Sequence, residues 1–139
     1  MGSLHAFLHP EAPEQQEIII SKRFKDEDGE PVPFVIRAIS AEENEALRRQ
    51  ATRTYKDKTG ATVKEFDSAK FTRLFTIAGT VQPDFRATDI CEAYGVLDPE
   101  LVLGKMLLAG EYSRLSDAIA DLSGITDEAV AQTGEEAKN

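Results

Sequence analysis

The most apolar segment of the chain reads Asp98-Pro99-Glu100-Leu101-Val102-Leu103-Gly104-Lys105-Met106-Leu107-Leu108-Ala109. Its first two residues are typical of a helix start, because a proline in the first turn sacrifices no backbone hydrogen bond. Apolar side chains then occur on almost every side of the predicted helix, which runs from Glu100 to Ala109. A helix that is apolar all round belongs inside a fold. We therefore expect this helix at the centre, with the other helices packed around it.

Helical patterns also precede and follow this segment. Ser40 and Glu43 fit the pattern of a capping box, in which each side chain satisfies the other residue's backbone N–H. After Asp67, apolar residues recur at the three- and four-residue spacing of one helix face. Four more helices are expected, with these boundaries: Ser40 to about Lys56, Asp67 to Gln82, a short helix ending at Gly95, and a last helix ending at Gly124.

Near the N-terminus the pattern changes from helical to strand-like. Residues 17–24 contain a β-branched run, and residues 33–39 alternate in the manner of a second strand. Residues 25–31, which lie between them, are rich in turn-forming Asp and Gly. Two such runs joined by a turn favour an antiparallel hairpin.

These patterns predict an α+β protein that is mainly α-helical. An N-terminal antiparallel β-hairpin is followed by a compact bundle of about five helices. The length of 139 residues suits one domain. We divide the chain into a flexible N-terminal arm (1–16), a single folded domain (17–124, with the hairpin at 17–39 and the helices at 40–124), and a polar C-terminal tail (125–139).

The balance of charges narrows the classes of partner. There are 25 acids and 16 bases, and the net charge is −9. An acidic chain is unsuited to nucleic acid, whose phosphates bind mainly Lys and Arg, and to an anionic membrane surface. No segment is long and apolar enough to span a membrane. The single cysteine, Cys91, excludes an internal disulfide and suits the reducing cytoplasm.

Residues that could support catalysis or hold a metal form no recognisable site. His5 and His9 are four residues apart, but Ala6 stands where a zinc-hydrolase helix requires glutamate. The turn around Gly29 lacks the carboxylates that a calcium loop needs at both ends. The glycine–lysine pair at 104–105 lacks the rest of a phosphate-binding loop. We predict no catalytic, cofactor-binding or metal-binding residue, and no cofactor.

The apolar helix after Pro99 has two interpretations. In one, it is the central pillar of the core. In the other, one side forms a groove or a self-association face, since Met and Leu suit adaptable binding of helices. For this second interpretation we predict Leu103, Met106 and Leu107 as partner-binding residues.

A cluster of cations also has two interpretations. The cluster comprises Arg48, Arg49, Arg53, Lys56 and Lys58. It could contact an acidic partner. Alternatively, it complements the dipole of the helix predicted over 40–56 and pairs with carboxylates one turn away.

Several short motifs occur in a fixed order along the chain. They are Phe24-Lys25-Asp26-Glu27-Asp28-Gly29-Glu30-Pro31-Val32-Pro33-Phe34, Ile36-Arg37-Ala38-Ile39-Ser40-Ala41-Glu42-Glu43-Asn44, Val81-Gln82-Pro83-Asp84-Phe85, Tyr94-Gly95-Val96, Met106-Leu107-Leu108-Ala109-Gly110-Glu111-Tyr112 and Glu136-Ala137-Lys138-Asn139. In this order and spacing they resemble the XkdN-like phage tail assembly chaperones, from about Leu4 to Asn139.

The resemblance implies a chaperone of the host cytoplasm that binds the tape measure protein and assists polymerisation of the tail tube, without being retained in the virion. It also implies contact with the tail tube protein through a frameshifted longer form, and self-association is a further possibility. The alternatives from other classes are a structural tail adaptor or completion protein built into the virion, and a small hydrolase or metal enzyme.

Overall fold

The structure is a computed structural model, and it describes residues 2–125. Over this range the chain forms six helices and five strands. The helices are α1 (Gly2–Leu8), α2 (Ala41–Gln50), α3 (Ser68–Gly79), α4 (Thr88–Ala93), α5 (Pro99–Met106) and α6 (Ala109–Leu122). The strands are β1 (Gln16–Ile18), β2 (Phe34–Ile36), β3 (Thr52–Lys56), β4 (Thr62–Phe66) and β5 (Thr80–Gln82). The strands form two antiparallel sheets, so the fold is mixed α+β, and the predicted mainly α-helical architecture of one hairpin and a bundle of about five helices is wrong.

The predicted N-terminal hairpin over 17–39 is wrong. The first strand, β1, has only three residues, and it pairs with β2 in a three-stranded sheet of order β1-β2-β5. Ile20 leaves the sheet and is buried in the core. Pro31 and Pro33 have no N–H to donate to a ladder, which limits the second strand to Phe34–Ile36. Its other neighbour, β5, comes from more than 40 residues further along the chain, a pairing that no local pattern reveals.

The helix predicted from Ser40 to about Lys56 is also too long. It begins at Ser40 as expected, with the Ser40 Oγ accepting from Glu43 N at 3.1 Å, but it ends at Gln50. Only this half of the predicted capping box forms, because the Glu43 carboxylate accepts from Arg37 instead. The residues that follow form the real hairpin, β3–β4, with register from Thr52↔Phe66 to Lys56↔Thr62. Its turn is closed by the Asp57 carboxylate, which accepts backbone N–H groups of the next few residues.

The core lies between α3, α5, α6 and the three-stranded sheet. Helix α3 packs against α2, α5, α6 and β5, and it buries every residue from Phe75 to Gly79. Helix α5 buries only Val102, Leu103 and Met106. The helix at the centre is therefore α3, and α5 has one side on the core and one side towards solvent.

The first residues of the chain lie outside this core. Helix α1 forms within the predicted flexible arm and has no buried residue. The predicted polar tail, apart from Ile125, lies outside the described residues. The division into arm, domain and tail stays a prediction.

Candidate partner-binding surface

An apolar groove opens between α3, α5 and the start of α6. It encloses about 1020 Å³. Leu101, Leu103 and Leu107 supply its large apolar side chains, and Tyr112 of α6 also lines it. Leu103 and Leu107 are almost fully buried, whereas Leu101 is 55% exposed. The groove thus has a buried apolar floor and an exposed apolar residue on α5 that a partner can reach.

Ion pairs on one side of the groove hold α3 and α5 together. Both oxygens of Glu100 are used: one accepts from Lys70 Nζ at 3.1 Å and the other from Arg73 Nε at 3.0 Å. The Glu100 side chain is largely buried, while the two cations are more exposed. This arrangement pairs the one buried carboxylate beside the apolar floor and leaves the cluster with one excess positive charge. Burial raises the pKa of the Tyr112 phenol, so this side chain stays neutral.

A buried carboxylate fixes the junction between α5 and α6, next to the groove. Glu111 accepts from Arg23 Nε at 3.0 Å and from the backbone N–H of Leu108 at 2.8 Å. The same guanidinium donates to the carbonyl of Met106 at 3.1 Å. The hydrogen bonds from Arg23 are the main reason that the pKa of Glu111 falls to about 2. Arg23 and Glu111 therefore position the end of α5 and the beginning of α6.

The three residues predicted to bind a partner are buried in the free chain. Leu103 and Leu107 form part of the floor of the groove. Met106 instead lines a second, smaller concavity of about 330 Å³, beside Phe34 and Tyr94. The structure therefore brings two of the three together, and their contact with a partner stays a prediction.

Sequence reasoning missed the exposed leucines around α5. Leu97 is fully exposed, Leu101 is 55% exposed and Leu108 is 60% exposed. The first and last lie just outside the helix, where the periodicity of α5 gives no orientation. A usable signal was present for Leu101, because it lies two residues before Leu103 and hence on a different side of the helix.

The cations predicted on one helix are divided between two elements. Arg48 and Arg49 end α2, whereas Arg53 and Lys56 lie on β3 and Lys58 lies in the turn that follows. The dipole of α2 can account for the first two only. The signal for the hairpin was the β-branched alternation around Thr52–Lys56, followed by turn-forming residues.

The remaining candidates for a functional feature are a metal site, the cysteine and a membrane-spanning helix. Within residues 2–125, no three His, Cys, Asp or Glu side chains are placed to share a metal ion. Cys91 is buried, and its Sγ donates to the carbonyl of Phe85 at 3.5 Å. Across the same residues, no helix has both the length and the apolar composition to cross a membrane.

Comparison with solved structures defines the class of protein. The crystal structure of the protein YqbN covers 87% of this chain, and 96% of that chain is covered in return. The TM-score is 0.73 and the sequence identity is 30%. The chain therefore has the α+β fold of that protein.

Comparison of sequences then gives the family. The family described as phage XkdN-like tail assembly chaperone protein matches residues 4–138. Two Bacillus subtilis (strain 168) relatives match over 128 residues, which are 91% of this chain and 85% of each relative: the phage-like element PBSX protein XkdN at 36% identity and YqbN at 38%. The chain belongs to the XkdN-like phage tail assembly chaperones, and the predicted family is confirmed.

Proposed function

We propose that this protein binds the tape measure protein of a phage or prophage tail and assists polymerisation of the tail tube around it. The chaperone acts in the cytoplasm of the bacterial host, without catalysis, and dissociates from the tape measure protein before the tail is complete. A longer form of the chain, produced by frameshifting, would contact the tail tube protein. Membership of a tail assembly chaperone family supports the general role.

The observation that carries the proposal is the apolar groove with Leu101 exposed beside it. A chaperone for a long, helical, aggregation-prone client needs an apolar surface that the client can occupy reversibly. Grooves lined by leucine accept the apolar face of an amphipathic helix. The net charge of −9 keeps the chaperone itself dispersed while that surface is open.

The test is co-expression with the tape measure protein of the same phage or prophage. We expect the tape measure protein to become soluble and to co-purify. Leu101→Asp places a charge at the groove, so it should reduce co-purification by at least about tenfold, as for an interface hot spot. Its matched control is Leu97→Asp, the same substitution at an exposed leucine outside the groove. Leu103→Asp cannot replace Leu101→Asp, because it would bury a charge and unfold the chain.

Two results would contradict the proposal. One is that the tape measure protein remains insoluble or fails to co-purify with the unaltered chain. The other is that purified, finished tails contain this chain in a fixed stoichiometry, which would indicate a structural adaptor or completion protein. If Leu97→Asp and Leu101→Asp weaken binding equally, the groove is the wrong surface although the client is correct.

A further inference from the structure

Positive charge is concentrated in one short part of an acidic molecule. Between Arg48 and Phe66 the sequence has six bases and two acids, a net charge of +4. The remaining ten bases and 23 acids therefore carry −13. This part comprises the end of α2 and the β3–β4 hairpin, which we call the basic ribbon (residues 48–66). It shares no residue with the groove.

The two acids of the basic ribbon are already engaged inside it. Asp57 accepts from the backbone N–H and the hydroxyl of Thr59, and these bonds lower its pKa. Glu65 pairs with Arg53 across the strands at 3.0 Å. Neither carboxylate neutralises the other cations of the ribbon.

Five cations are thus left for a partner. No carboxylate within the described residues forms an ion pair with Arg48, Arg49, Lys56, Lys58 or Lys64, and all five residues are exposed. The Arg48 guanidinium lies over the ring of Phe66, 4.5 Å from its centroid. Among the described residues, the four ion pairs outside the ribbon involve four other cations, which are Arg23, Arg37, Lys70 and Arg73. The unpaired positive charge described here therefore belongs to the ribbon.

The backbone of the ribbon is also open. In the sheet that contains it, β3 and β4 have no neighbour other than each other. Asp57 N donates to Ala61 O at 3.0 Å and, at the other end of the ladder, Asp67 N donates to Ala51 O at 2.8 Å, so the odd-numbered positions on the β3 side are the hydrogen-bonded ones. Opposed pairs alternate between bonded and non-bonded, and the backbone groups of Thr54 and Lys56 therefore point away from β4. An extended chain can add beside these groups in the manner of strand addition.

We propose that the basic ribbon binds an acidic, extended segment of another protein. The lysines contact its carboxylates, and an open edge of the ribbon supplies backbone hydrogen bonds. A second copy of the ribbon is a poor partner for this edge, since lysines on exposed edges repel identical strands. The proposal goes beyond the groove and does not depend on which client the groove holds.

Charge complementarity favours an acidic peptide over nucleic acid. A short acidic segment contacts only the basic ribbon, whose net charge is +4. The phosphates of a nucleic-acid duplex extend beyond the ribbon. The remaining −13 of the molecule then repels the nucleic acid. The size of the basic ribbon thus suits a short peptide.

The experiment measures binding of a short fluorescent peptide of alternating Glu and Thr, by anisotropy. A peptide with Gln in place of Glu is the control ligand. Lys58→Glu/Lys64→Glu should weaken binding by about tenfold, because two local attractions become repulsions. Lys22→Glu/Lys25→Glu changes the net charge equally at exposed lysines outside the ribbon, and should have little effect. Raising the ionic strength from about 0.1 M to about 1 M shortens the screening length from about 10 Å to about 3 Å and should abolish binding.

Five results would overturn the proposal. The first is no binding of the acidic peptide, in which case the lysines only protect the strand edge. The next three are equal binding of the Gln peptide, equal loss of binding in the two double variants, and tighter binding of a labelled DNA duplex. The fifth is a salt-sensitive dimer that Lys58→Glu/Lys64→Glu disperses, because the occupant would then be a second copy. None of these variants alters a groove residue, so failure here leaves binding of the tape measure protein to be judged separately.

Discussion

At the scale of single residues, the Arg23–Glu111 pair shows what the sequence could not reveal. The two residues are 88 positions apart, and no local sequence pattern links them. Glu111 could be predicted in the first turn of a helix, where a carboxylate is common. Its burial and its partner depend on how the chain before β2 packs against α5 and α6, which only the tertiary structure gives.

The depressed pKa of Glu111 predicts how stability depends on pH. Its ionised form is favoured by folding, since the pKa falls from 4.5 to about 2. The stabilisation is therefore complete above pH 4.5 and is lost as the pH falls towards 2. Glu111→Gln should lower the urea midpoint at pH 7, and the difference from the unaltered chain should shrink between pH 4.5 and 2. Glu92→Gln, at an exposed position in α4, is the control. A difference that is constant with pH would contradict the role of this carboxylate.

At the scale of elements, local signals predicted where helices begin better than where they end. Ser40 and Asp67 do cap α2 and α3. The spacing of Leu47, Ala51 and Tyr55 fits a helix face, but β-branched residues and a turn follow from Thr52, and the chain forms a hairpin. Pairing of β2 with β5 escaped prediction because sequence-distant strands leave no local pattern.

Alanine substitution should have opposite effects on stability at two glycines, because only one of them lies against another helix. A Cβ on Gly79, at the end of α3, would lie 2.4 Å from Ile119 Cγ2 of α6. Gly79→Ala should therefore destabilise the protein by about 1–3 kcal/mol, as overpacking does. Gly104, inside α5, has nothing within 4 Å of an added Cβ, and Gly104→Ala should stabilise by about 0.5–1 kcal/mol. Urea unfolding of both variants checks this, and a neutral Gly79→Ala would show that the two helices are further apart in solution.

At the scale of the whole molecule, composition and motif order were the most informative features of the sequence. They gave the charge and the family, and the comparisons confirm the family, whereas the predicted N-terminal hairpin followed by a helical bundle is wrong. They left the groove as one of two interpretations, because whether a leucine such as Leu101 faces the core or solvent depends on how α5 lies against α3. The apolar run is therefore neither wholly core nor wholly binding surface: α5 buries one side and exposes the other.

The exposure of the first residues predicts where the folded unit begins. All of residues 2–17 are exposed, and α1 buries nothing, although Leu4, Phe7 and Leu8 share one of its faces. Deleting residues 2–13 should therefore change the free energy of unfolding by less than about 0.5 kcal/mol, as for surface changes. Deleting residues 2–18 also removes β1, its ladder with β2 and the packing of Ile18, and should cost about 1–3 kcal/mol. Urea denaturation of the two truncated chains compares them directly. If the shorter deletion costs as much as the longer one, then α1 packs on the domain in solution and the folded unit begins before residue 14.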